Sequence, residues 1–140
     1  MGNPEIRVVE TRAGILNSIG LQNSGAQKFF EKSLPGLLHF DLPIIVNISA
    51  GSVDEFGRLA AYLIEHDEHA KISGLEINVS CPNLCEGGMA FGTSPRYVEE
   101  IVKTVKQNVR PETLVVTKLT PNVTDISLPG KAAVNGGTDA

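Results

Sequence analysis

The spacing of apolar residues changes several times along the chain. Residues 6–10 (IRVVE) form one short β-like run. Residues 14–23 (GILNSIGLQN) are apolar but broken by Gly14, Asn17, Gly20 and Asn23, which predicts an irregular connection. Ser24 can cap a helix across about 25–33, with Phe29 and Phe30 turned inward and Pro35-Gly36 ending it. From Pro43 the rhythm is regular. Residues 43–48 (PIIVNI) read as a strand closed by Ser49-Ala50-Gly51. Ser52 then caps a helix to about His66, and Ser52 and Glu55 have the spacing of a capping box. Phe56, Leu59, Ala60, Leu63 and Ile64 give this helix its apolar stripe. Leu75–Val79 is the next strand. Ser94 and Pro95 hold the cap and first positions of a third helix, where Val98, Ile101, Val102 and Val105 recur at helical spacing. Leu114–Leu119 (LVVTKL) is the third strand, and a fourth helix is predicted from about Thr124 to Val134, closed by Gly136-Gly137.

One helix followed by three β-α pairs, with strands rich in Val and Ile, predicts a parallel sheet with both faces covered. Strands starting at 43, 75 and 114 repeat after 32 and then 39 residues, the range of βα units. No low-complexity linker interrupts residues 1–140, so they are treated as belonging to one domain. Three strands cannot close an eight-stranded βα barrel, which takes ~250 residues and at least ~200. The pattern therefore predicts either a small open sheet or a segment of something larger. Residues 136–140 (GGTDA) read as a loop from helix to strand, which favours the segment.

Composition narrows the function classes. The 140 residues are 41% hydrophobic and 20% charged, as in a globular domain. The net charge of −4 gives no basic footprint for nucleic acid. Apolar runs fall well short of the ~18 residues of a membrane span. Glu5 and Glu10 interrupt the first residues, so no secretory signal is expected. Two cysteines four positions apart make no disulfide framework, and a reducing compartment is the default expectation.

Candidate chemistry concentrates where the second strand runs into a Gly-rich loop, LEINVSCPNLCEGGMAFGT (75–93). Asn78, Ser80, Cys81 and Asn83 follow within six positions. Cys81 admits two readings, a loop thiol acting as base or nucleophile and a buried small hydrophobe. Cys81 and Cys85 lack the further ligands that a metal or iron–sulfur site requires, and His66 and His69 read as a solvated helix end. Asn is disfavoured in strands, so Asn47 and Asn78 near strand ends suggest fixed donors and acceptors. Lys118 ends an apolar strand, and in a covered sheet it would need an anionic partner. Gly87-Gly88 and Gly92 suit a mobile lid better than a phosphate cradle.

Taken together, GILNSIGLQN, INVSCPN, EGGMAFGT and VTKLTPNVTDI resemble the dihydroorotate dehydrogenases, and within them the NAD-linked class 1B catalytic subunits. The resemblance covers the whole chain without large gaps. It implies a partial TIM (βα)8 barrel, about the third to fifth βα units, with three parallel strands alternating with helices. It implies oxidation of dihydroorotate to orotate in pyrimidine (UMP) biosynthesis, with FMN accepting the hydride from C6. Cys81 matches the loop cysteine that takes the C5 proton, and a thiol pKa of ~8.5 can be tuned toward that task. Asn17, Ser18, Ile19, Gly20 and Leu21 match the substrate segment, with Asn17 on the pyrimidine. Asn78 and Asn83 match the amides holding its carboxylate and ring. Asn47, Asn78 and Lys118 match flavin contacts, and a lysine there would stabilise the anionic reduced flavin.

The family also implies a partner subunit carrying FAD and [2Fe–2S] that passes electrons to NAD. The full-length enzyme would be a homodimer or heterotetramer in the cytoplasm. The family's first two strands, with a further active-site lysine, and its last three, with the Gly-rich flavin-phosphate turns, have no counterpart here. The 140 residues alone are therefore expected to be inactive. Cys85 stands where the family usually has a charged residue. Two alternatives are the pyrimidine-reducing domain of dihydropyrimidine dehydrogenase, and a truncated non-catalytic remnant. The contiguous GNP…ETRAGILNSIGLQN segment favours dihydroorotate over the first. A remnant would expose sheet edges prone to self-association.

Overall fold

The computed structural model describes residues 2–68, 70–80, 85–86 and 89–140; His69, Cys81, Asn83 and the Gly87-Gly88 pair lie outside the described residues. The chain opens on a hairpin. Strand β1 (Val8–Thr11) pairs antiparallel with β2 (Gly14–Asn17), Val8 opposite Asn17 and Thr11 opposite Gly14. The Thr11 hydroxyl donates to the Gly14 carbonyl at 3.0 Å across the turn. The irregular connection predicted from Gly14 is thus a strand as far as Asn17. Its apolar residues lie on both faces and all four positions of each strand are exposed, so no period-2 signal marks it.

The next helical stretch begins at Gly25 rather than with a Ser24 side-chain cap. It runs as α1 (Ala26–Lys28), a π turn (Phe29–Ser33) and α2 (Leu34–Leu37). Pro35-Gly36 does not end it, because Pro35 falls in the first turn of α2 just beyond the π turn, where a missing N–H is tolerated. Phe29 and Phe30 are half-buried and pack edge to face at 5.4 Å.

Three parallel strands follow, β3 (Ile44–Ile48), β4 (Ile72–Asn78) and, after one short pairing described below, a last strand over Leu114–Lys118. Between β3 and β4, α3 (Val53–Glu65) starts at Ser52, whose hydroxyl accepts from the Glu55 N–H at 3.2 Å. The Glu55 carboxylate reaches back to the Gly51 N–H at 2.7 Å, one residue beyond the usual box. Beyond β4, β5 (Cys85–Glu86) pairs antiparallel with β6 (Met89–Ala90), and a 3₁₀ turn (Phe91–Thr93) leads into α4 (Pro95–Gln107). The last strand, β7 (Leu114–Lys118), is followed by α5 (Ser127–Gly136). This helix starts three residues later than predicted, because the Asp125 carboxylate takes the Ser127 N–H at 2.8 Å and turns the chain there.

The sheet order is β3-β4-β7, so β4 is central. Leu75, Ile77 and Val79 alternate inward and share one core with Phe56 and Leu63 of α3 and Val98, Ile101, Val102 and Val105 of α4. Each such fully buried side chain contributes roughly 1.5–3 kcal/mol. In the opposite phase the two edge strands are open. Ile45 is 49% and Leu114 40% exposed, so the expectation of two covered faces is corrected to one. Helices packed on one side and a bare second side are the arrangement of an arc cut from a barrel wall.

The start of β4 is held by charge. The Asp67 carboxylate, 1% exposed, accepts from the N–H groups of Lys71 (2.8 Å) and Ile72 (3.0 Å) and from the Arg110 guanidinium (3.1 Å). Arg110 also donates to the carbonyls of Ile64 and Asp67 at 2.9 and 3.1 Å. Beyond α5, residues 138–140 run beside β7: Asp139 N donates to Val115 O at 2.8 Å and Thr117 N to Ala140 O at 2.9 Å.

Candidate active site

Strand alternation places Asn47 on β3, Glu76 and Asn78 on β4 and Lys118 on β7 toward the bare face, near the carboxyl ends of parallel strands. Register then makes two pairs, Asn47 opposite Glu76 and Asn78 opposite Lys118. The Asn47 side-chain amide donates to the Glu76 carboxylate. The Lys118 ammonium donates to Asn78 Oδ1 at 2.7 Å and also to the Ser80 hydroxyl.

Asn78 is the hub. It is 7% exposed, and its Oδ1 accepts from Lys118, from the Ser80 hydroxyl at 2.9 Å and from the Ser80 N–H at 3.2 Å. An ammonium can only donate, so the atom facing Lys118 must be the amide oxygen. The amide nitrogen is consequently turned away from Lys118 and Ser80. The Asn78 carbonyl accepts from the Ser49 hydroxyl at 3.3 Å, which ties the end of β4 to the turn after β3. Lys118 is exposed and forms no ion pair with the described side chains, so amide and hydroxyl oxygens hold it in place of the expected anion. Among the described residues two acceptors take Lys118 protons, which leaves the third for a further partner.

The loop after Ala90 closes on this end of the sheet. Gly92 N donates to Val79 O at 3.0 Å, and a Cβ on Gly92 would stand 2.4 Å from that same oxygen. Only glycine allows the loop to come so close to the strand end.

A cavity of about 830 Å³ opens beside β3. Gly20, Leu21, Asn47, Ser49 and Glu55 contribute to its wall, and its volume suits a cofactor or drug-sized ligand. Asn47 thus stands both on the cavity wall and in the strand-end network. The segment bearing Gly20 and Leu21 is held through Asn3, whose N–H donates to Ile19 O at 3.0 Å and whose amide donates to Ser18 O at 2.9 Å. Gly20 takes φ +69°, a left-handed conformation that favours glycine. Asn17, Ser18 and Ile19 are exposed and do not line the cavity.

The structure therefore joins Asn78 with Lys118, and Asn47 with Gly20 and Leu21. Cys81 and Asn83 lie outside the described residues, though Cys81 directly follows Ser80. Sequence reasoning missed Glu76. The available signal was a carboxylate inside the apolar strand LEINV, two positions before Asn78 and so on the same face.

Parallel strands backed by helices, with amides, a hydroxyl and an ammonium gathered at their carboxyl ends, define a segment of a βα barrel. The chain belongs to the dihydroorotate dehydrogenase family, whose model, described as dihydroorotate dehydrogenase, matches residues 1–140. It is 50% identical over 139 residues to the dihydroorotate dehydrogenase B (NAD(+)) catalytic subunit of Thermoanaerobacter sp. (strain X514). It is 45% identical over 139 residues to that of Citrifermentans bemidjiense and 47% over 138 residues to that of Alkaliphilus metalliredigens. Each match covers 99% of this chain and 44% of the relative, so the chain spans less than half the length of these curated relatives. Among the described residues, no helix is long and apolar enough to cross a membrane.

Proposed function

We propose that residues 1–140 supply the third to fifth βα units of a flavin-dependent dihydroorotate dehydrogenase, within its single barrel domain. The observation that carries this reading is the Lys118–Asn78–Ser80 network at the carboxyl ends of adjacent parallel strands. A cation and side-chain amides at adjacent strand ends fit a planar heterocycle and a carboxylate, and the donor set fits FMN beside dihydroorotate. FMN, when bound, supplies a two-electron acceptor for the hydride that leaves C6. Lys118, fixed by Asn78 and Ser80, would hold a permanent positive charge where negative charge gathers during oxidation. Asn78 would orient substrate and cofactor together through its side-chain amide. Cys81 Sγ, as thiolate, would take the C5 proton, and Asn83 would bind the substrate beside it. Asn47 would contact the flavin, and residues 17–21 would form the substrate's other wall.

The relatives' names, an NAD(+)-linked catalytic subunit, support a separate electron-transfer subunit here too. That partner would carry FAD and [2Fe–2S] to NAD, in a cytoplasmic homodimer or heterotetramer. The test is a chimaera in which this chain replaces the matching residues of the Thermoanaerobacter relative. Anaerobic dihydroorotate should bleach its bound flavin, and Cys81→Ala should keep the flavin absorbance while abolishing bleaching. A chimaera that binds FMN but is not bleached would overturn the proposal.

A further inference from the structure

We infer that Glu76 is a positioning residue that sets the orientation of the Asn47 amide toward the bound cofactor; the inference rests on the function proposed above. A carboxylate accepts and cannot donate, so Glu76 selects the NH₂ end of the Asn47 amide and leaves Oδ1 as the end offered to a ligand. Without that partner the two ends of the amide are nearly equal in shape and the side chain can turn over, presenting donor or acceptor indifferently. Both residues are placed by backbone register rather than by a loop, since Asn47 and Glu76 are direct neighbours in the parallel ladder of β3 and β4. Glu76 is half-buried while Asn47 is exposed, so the carboxylate sits behind the amide instead of competing with it for the ligand. Glu76 forms no ion pair with the described side chains, and its hydrogen bond from Asn47 is its role in the network.

The experiment uses the same chimaera and reads FMN dissociation by flavin fluorescence, together with the Asn47 side-chain ¹H–¹⁵N signals of the flavin-free protein. Glu76→Gln keeps an acceptor and should leave the FMN Kd within about threefold of the parent, while Glu76→Leu should weaken it about tenfold, one positioned hydrogen bond. In an Asn47→Ala background Glu76→Leu should cost nothing further. In the flavin-free protein, Glu76→Leu should speed exchange of the Asn47 amide protons and Glu76→Gln should not. Equal loss with and without Asn47, or no loss in Glu76→Leu, would overturn the inference. Slow Asn47 exchange that depends on Glu76 in a protein that binds no FMN would instead count against the function proposed and leave the orienting role standing.

Discussion

Arg110→Met removes the cation that neutralises Asp67. The carboxylate is 1% exposed and keeps two backbone donors, Lys71 and Ile72, but loses its only ion pair among the described residues. A hydrogen bond to a charged group is worth about 1.5–3 kcal/mol, and the two bonds to the Ile64 and Asp67 carbonyls add roughly 1 kcal/mol each at most. Arg110 is itself 28% exposed, so water recovers part of this, and Met retains the packing of the stem. The expected loss is about 3 kcal/mol, at the lower end of the range for breaking a buried pair from one side. Urea unfolding followed by far-UV circular dichroism should show it as a midpoint lowered by about 1.5–2 M. Arg96→Met is the control. Its pair with Glu100 spans one helix turn in open solvent, and its loss should leave the urea midpoint essentially where it was. In an Asp67→Asn background the Arg110→Met cost should fall by about half. Equal midpoint shifts for Arg110→Met and Arg96→Met would refute the claim that Asp67 is held by charge.

Two further outcomes are expected. The Asp139 carboxyl is held below its ordinary value of 3.8 by the Val115 N–H first and by Lys106 second, so its ionised form belongs to the folded state. Its contribution is present above the unfolded pKa and disappears as pH falls through the lowered folded value, so the urea midpoints of the parent and Asp139→Asn should converge as pH drops below the ordinary carboxyl value of 3.8; a constant gap would contradict this. Gly92→Ala places a methyl 2.4 Å from Val79 O and 3.0 Å from the Thr120 methyl, and should destabilise by about 1–3 kcal/mol in thermal unfolding. In the chimaera it should also weaken FMN binding, because the strand end that must move carries Asn78; unchanged stability would show that the loop does not close on β4.

The regular part of the chain was legible because its signals agree. In β3, α3, β4, α4 and β7 the apolar period, the caps and the Pro positions point the same way, and Val98, Ile101, Val102 and Val105 are all fully buried as predicted. Of the hairpin only the first strand was legible, as the β-like run at 6–10; its partner was not, since Ile15 and Leu16 are apolar yet exposed and alternation reports burial rather than hydrogen bonding. The helix past Pro35 was hidden because a π turn changes the local period. At the site, Asn78 and Lys118 were each visible as polar residues at strand ends. Their meeting was not, because it depends on the register of strands 40 positions apart, which no local pattern encodes. Glu76 was overlooked for the same reason, its purpose being visible only once Asn47 stands opposite.

The central strand β4 is gripped at both ends by unlike means. At Ile72 the grip is the buried Asp67–Arg110 clasp, and at Asn78 it is the exposed lysine and hydroxyl network, roughly 20 Å away at strand spacing. Substitutions at the carboxyl end can therefore retune what is bound while the amino end continues to anchor the sheet. On the function proposed above, ligand contacts and the sheet's anchor thus occupy opposite ends of one strand, which separates variation at the site from variation in stability.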